Sequence, residues 1–77
     1  MTEQTVSGIA RAVAEAGSQR RLAQVLGVSQ AEIWRWVKRG WAPARHVVAI
    51  EATYGVPRRD LLRPEFVDLL DSGLGED

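Results

Sequence analysis

Residues 19–38 read QRRLAQVLGVSQAEIWRWVK, and this stretch decides the fold. It contains two helical segments with very little chain between them. Leu22 and Leu26 fall four apart, on one face of the first segment. Ser18 precedes that segment as an N-cap, and Gly27 stops it. Ser29 opens the second segment with Glu32 three positions on, the Ser-x-x-Glu capping box that marks a helix start. Ile33, Trp36 and Val37 point inward from it. Ala23 is small enough to let the second helix cross close over the first. Gly27 can enter the left-handed region at no Cβ penalty, as a sharp turn between helices requires. Leu22, Leu26, Val28, Ile33 and Trp36 then close a small core between the two helices.

An ordinary helical hairpin accounts for those inward residues equally well. It does not account for the outward face of the second helix. Ser29, Gln30, Ala31, Trp34, Arg35 and Lys38 project there, and the single acid, Glu32, belongs to the capping box. A surface helix without a functional face normally mixes charge signs. The spacing and the face together point to a DNA-binding helix-turn-helix.

The rest of the chain is helical by the same reading. Val6, Ile9, Ala10, Val13 and Ala14 give the apolar stripe of a first helix, which Gly17 ends. Pro43 suits the first turn of a fourth helix, with Val47, Ile50 and Tyr54 inward, Gly55 at its end and Val56 placed for a Schellman contact. Pro57 starts a short fifth helix carrying Leu61 and Leu62, and Pro64 ends it. No segment alternates with the period of a strand. The 77 residues therefore read as one all-α, five-helix domain over residues 1–63, its helix-turn-helix at 19–38, followed by a short C-terminal extension over 64–77.

The chain has no cysteine and one histidine, His46, which excludes disulfides, cysteine zinc sites and paired-histidine metal sites. A chain this short buries only about 60–65% of its unfolded surface, so a deep catalytic cleft is not expected. No acid pair and no phosphate-cradling glycine loop stands out. The expectation is a binding protein, not an enzyme, with no cofactor, no metal and no small-molecule substrate. The start of the chain lacks the basic-then-apolar layout of a signal peptide, and the longest aliphatic run, Val47 to Ile50, is far short of a membrane span. A cytoplasmic protein with no membrane partner is expected.

The formal net charge is zero, but its distribution is uneven. Residues 1–17 carry −1, residues 18–63 carry +6, and residues 64–77 carry −5 with no cation. A basic middle with an acidic tail can hold phosphates, as a uniformly neutral protein cannot.

The segment from Gly17 to Glu65 resembles the YdaS-type, Cro-like helix-turn-helix family of phages and prophages, within the lambda-repressor-like superfamily. The resemblance rests on Leu22-Ala23-Gln24-Val25-Leu26-Gly27-Val28-Ser29-Gln30, Trp36-Val37, Arg39-Gly40, Pro43, Ala49-Ile50-Glu51, Gly55-Val56 and the ending Leu62-Arg63-Pro64-Glu65. The first run is shared across the superfamily, while Pro43 and the Leu-Arg-Pro-Glu ending narrow the match. The chain departs from the pattern at Ala31 and at Trp34, where a small polar residue is expected. The resemblance implies a lambda-repressor-like domain whose third helix lies in the major groove. It also implies a transcription regulator, with some members described as antitoxins.

Residue chemistry suggests the roles. Gln30 can pair with adenine or brace a phosphate, Arg35 can pair with guanine, and the Ala31 methyl can meet a thymine methyl. Gln19 opens the second helix, where free N–H groups and the helix dipole can hold a phosphate. Ser29, Lys38 and Arg39 are further DNA-contact candidates, the latter two toward the flanking backbone. Trp34 faces out, toward a sugar, a thymine methyl or a partner surface. Trp36 belongs to the core, and Trp41 packs in the turn after the third helix. His46 reads as a surface or phosphate-adjacent residue, and Glu51 as an acid paired with an arginine. One helix-turn-helix reads only a few base pairs, so a homodimer on a palindromic operator is expected. Phe66, Val67, Leu69, Leu70 and Leu74 are the candidate dimer surface; the competing reading folds Phe66 and Leu70 back on the domain.

Three functions stay open at this point. One is a sequence-specific DNA-binding regulator of the Cro or repressor type. The second is an antitoxin that regulates its own operator and has a toxin as partner, although only about 13 residues after Pro64 are left to wrap one. The third is an interaction module without DNA binding, against which Arg35, Lys38 and Arg39 argue. An excisionase-like winged helix would need strands after Gly40, where the periodicity is helical instead.

Overall fold

Ser7, Ser18 and Ser29 each stand immediately before a helix. Each accepts a hydrogen bond on its hydroxyl from the backbone N–H three residues on, at 3.1, 3.0 and 3.1 Å. These caps satisfy donors that the first turn of a helix leaves without partners. In the computed structural model, which describes residues 7–65, they start α1 (Gly8–Ala16), α2 (Gln19–Leu26) and α3 (Gln30–Arg39). A fourth helix, α4 (Ala44–Tyr54), follows Pro43, which stands at the N-cap and not inside the first turn. Gly17, Gly27, Gly40 and Gly55 close the four helices. The described residues are all-α, with no strand among them.

The expected fifth helix is not an α-helix. Three residues, Arg58–Asp60, form a 3₁₀ turn, and Leu61 and Leu62 follow it. The Arg58 carbonyl accepts from Leu61 N–H at 2.9 Å and from Leu62 N–H at 3.1 Å, after which the ladder stops. The chain between Pro57 and Pro64 is too short to repay an α-helical nucleus, and the residue before a proline is steered away from helical backbone. Residues 64–65 are again helical, at the edge of the described residues. Phe66, Val67, Leu69, Leu70 and Leu74, expected at a dimer surface, lie outside the described residues, as does Val6.

The core takes residues from all four α-helices and from the loops after α3 and α4: Ile9, Ala12, Leu22, Ala23, Ile33, Trp36, Ala42, Val47, Ile50, Val56 and Leu61 are all buried. Leu26, Val28, Val37 and Tyr54 pack against it while partly exposed. No polar or charged residue is buried among the described residues. The stripe of α1 keeps Ile9 and Val13 from the one expected but is otherwise rotated. Ile9 and Ala12 are buried, with Val13 and Ala16 packed beside them, whereas Ala14 is exposed. Both registers are apolar in this alanine-rich helix. The one adopted turns Gly8 and Ala12, its smallest buried residues, inward.

Gly8 shows why small size matters there. A Cβ at this position would lie 2.7 Å from the Asp60 carbonyl carbon and 2.8 Å from the Asp60 Cβ. Helix α1 thus rests directly on the 3₁₀ turn, and Arg11 joins the contact with a 3.1 Å ion pair to Asp60. A second long-range tie is the hydrogen bond from Ala42 N–H to the Leu61 carbonyl, 2.8 Å, which fastens the turn after α3 to the segment that follows the 3₁₀ turn. Glu51 has the arginine partner expected for it, Arg58, at 3.0 Å. His46 departs from its expected place. It is half-buried, with its ring 5.3 Å from that of Trp36 and tilted 33°, so it covers the core tryptophan.

Candidate nucleic-acid interface

Three residues, Gly27, Val28 and Ser29, connect α2 to α3. Gly27 has φ +73°, the left-handed backbone that the tight turn needs. Both Gly27 N–H and Val28 N–H donate to the Ala23 carbonyl, the latter at 3.0 Å. Ala23 itself is buried at the crossing of the two helices. With Ile33 and Trp36 locked into the core, the opposite side of α3 must face outward.

That side carries two rows of residues spaced four apart: Gln30, Trp34 and Lys38 in one, Ala31, Arg35 and Arg39 in the other. All six are exposed. Each row ends in a cation set over an indole. Lys38 Nζ stands 5.3 Å from the centre of the Trp34 ring, and the Arg39 guanidinium lies 3.5 Å from the centre of the Trp41 ring. Trp34 is 52% exposed, an unusual position for so large an apolar ring. Trp41 is packed, as expected, although its packing partners are charged.

Ser29 is exposed at the head of α3, its hydroxyl oxygen engaged by Glu32 N–H. Gln19, half-buried, opens α2, whose first turn contains Arg20 and Arg21 and no acid. The positive end of that helix and the two exposed guanidiniums reinforce one another, and only Gln19 of the three is singled out by the sequence reading. Arg39 is turned toward Trp41, its Nε donating to the Trp41 carbonyl at 3.1 Å. Burial, then the nearby charges of Arg63 and Arg35, hold its guanidinium below the usual arginine range. Arg63 lies 4.8 Å from the centre of the same indole. The sequence reading missed Arg63 as a neighbour of α3. Only the tertiary Ala42–Leu61 bond brings it there, and no local spacing reports such a bond.

The arrangement offers hydrogen-bond donors, fixed cations and an exposed indole on one convex helix face, with Glu32 the only acid of the helix. Chemically this suits a polyanion. Among the described residues no three His, Cys, Asp or Glu side chains gather to hold a metal ion. No helix among them is long and apolar enough to cross a membrane.

These features define a small all-α domain built around two crossed helices and a tight turn. The family model described as bacterial toxin YdaS matches residues 9–68, and the chain belongs to that family. Comparison with curated proteins and with solved structures finds no match.

Proposed function

We propose that this protein is a sequence-specific DNA-binding regulator of the Cro or repressor type. In this reading its fold is a lambda-repressor-like variant with a 3₁₀ turn in place of the fifth helix. The observation that carries the proposal is the outward face of α3, where Gln30, Ala31, Trp34, Arg35 and Lys38 are all exposed with no acid among them. Gln30 and Arg35 are the base-reading residues, through the bidentate pairs that each side chain can make with adenine and guanine. Ala31 and Trp34 supply apolar contact. Ser29, Lys38, Arg39 and Gln19 hold backbone phosphates. The protein acts in the cytoplasm as a homodimer through Phe66, Val67, Leu69 and Leu70, and catalyses no reaction.

The test is a salt titration of duplex binding. A dimer contacting about six to eight phosphates gives a slope of log K against log salt of about −5 to −7. No retention of duplex DNA at low salt, or a slope near zero, would remove the reading. A second reading draws on the family description: the protein belongs to a toxin–antitoxin pair and regulates its own operator. Co-purification of a neighbouring gene product with the DNA-binding activity would favour it, and growth arrest that survives loss of DNA binding would separate toxicity from operator occupancy.

A further inference from the structure

The Trp41 indole is met by two guanidiniums that are far apart in sequence. Gly40 turns the chain out of α3, and the Arg39 side chain folds back so that its Nε–H reaches the Trp41 carbonyl at 3.1 Å. One residue on, Ala42 N–H is held by the Leu61 carbonyl at 2.8 Å. That bond brings Arg63, two residues beyond Leu61, to the same indole. The ring centre is 3.5 Å from one guanidinium carbon and 4.8 Å from the other. A guanidinium over an indole face is held in place by the ring while its N–H groups still point to its edge, where an anion can meet them.

Arg35, one turn back on α3, adds its positive charge to the field that these two guanidiniums share. Like charges this close oppose one another, and the lowered proton affinity of Arg39 reflects burial first and then Arg63 and Arg35. Such a group becomes favourable when an anion sits among its members. One is already partly in place: a Glu65 carboxylate oxygen lies 2.9 Å from Arg63 Nη2. Its two oxygens present to Arg63 the chemistry that a phosphate would. The Arg63–Glu65 pair is exposed on both sides, so exchange for a stronger anion costs little.

We propose that Arg39 and Arg63, both held over Trp41, form a binding site for a duplex backbone phosphate beyond the C-terminal end of α3. In the free protein the Glu65 carboxylate occupies Arg63. The site rests on the DNA-binding reading and extends the contact past the bases that α3 reads. It makes Glu65, the first acid of the C-terminal extension, an internal competitor of DNA. Trp41 serves as a rigid platform, not as a base contact.

The experiment measures fluorescence anisotropy of a labelled non-cognate duplex across a salt series. The proteins are the full chain and its Arg63→Gln, Glu65→Gln and Lys38→Ala variants, each with its melting temperature. Arg63→Gln should weaken binding and flatten the salt slope by about one unit per protomer, with helical content retained. Glu65→Gln should tighten binding and leave the slope as steep or steeper; because Glu65 is exposed, this variant carries the test even if Arg63→Gln disturbs folding. An unchanged slope for Arg63→Gln and unchanged affinity for Glu65→Gln, with Lys38→Ala still flattening the slope, would overturn the site and spare the DNA-binding reading. Absence of duplex binding by the unaltered chain would remove that reading itself. Inorganic phosphate should compete no better than chloride at equal ionic strength. Stronger competition would mean a site for free phosphate, and would overturn the assignment to duplex DNA.

Discussion

Arg35 and Lys38 lie three residues apart on one exposed face, yet the chemistry of their ends differs. A guanidinium can grip the two acceptors of a guanine edge, whereas an ammonium is a point charge suited to a phosphate. Arg35→Ala is therefore expected to lose about 1–3 kcal/mol on the preferred site and to relax one base position. Lys38→Ala should weaken all duplexes alike. A selection of bound sequences performed with each variant checks this, and equal loss on every sequence for Arg35→Ala would make it a phosphate contact. Lys38 also sits over the Trp34 ring, so Trp34→Ala frees its ammonium and should weaken the same contact. Gly27 makes a prediction about stability. Space is open around it, since a Cβ would meet nothing within 4 Å, but its φ of +73° is strained for any branched side chain. Gly27→Val should cost about 1–3 kcal/mol, or roughly 4–8 °C of melting temperature for each kcal/mol in a domain of this size. Gly27→Asn should recover most of that loss, because asparagine tolerates left-handed backbone. Equal melting temperatures for the two variants would show that side-chain bulk, not backbone conformation, sets the cost.

At the level of elements, α2 and α3 were legible to the residue. Their signals are local: a serine cap, a glycine stop and inward residues at helical spacing. The sequence was ambiguous where two registers were both apolar, as in α1, and where prolines bounded a stretch too short for a helix, as at Arg58–Asp60. It was silent on Gly8, because a glycine near a helix start carries no mark of what lies across from it. The structure supplies that partner, the backbone of Asp60. Gly8→Ala should push α1 off the 3₁₀ turn and cost about 1–3 kcal/mol, since backbone cannot give way as a flexible side chain can. Arg11→Ala, which removes only the exposed ion pair to the same residue, should cost no more than about 1 kcal/mol. Thermal denaturation of both variants decides the ranking; the reverse order would place the strength of this contact in its charges. The candidate site divides in the same way. The rows on α3 follow from helical spacing alone. The neighbourhood of Trp41 depends on the Ala42–Leu61 bond, which joins residues distant in sequence.

At the scale of the whole molecule, the buried core residues among those described all lie between Ile9 and Leu61. A chain lacking residues 66–77 keeps all of these and is expected to fold; loss of its helical content would show that the removed residues belong to the core. If those residues carry the dimer contact, the shortened protein sediments as a monomer and its affinity for a palindromic operator falls by about 10²-fold or more, because the second half-site is no longer tethered. A shortened chain that still dimerises would place the interface on the described domain. The purely apolar core bears on something different again, the history open to this domain. No polar or charged residue is buried among the described residues, so apolar residues of similar volume can replace one another inside at a cost usually below about 1.5 kcal/mol each. The exposed rows of α3 are under no such packing demand. Inside and outside can thus accumulate changes separately: if α3 reads DNA as proposed, lineages can drift in core sequence while keeping one set of recognised sites, or acquire new sites through a few exchanges at positions 30, 31, 34 and 35 without having to relearn how to fold.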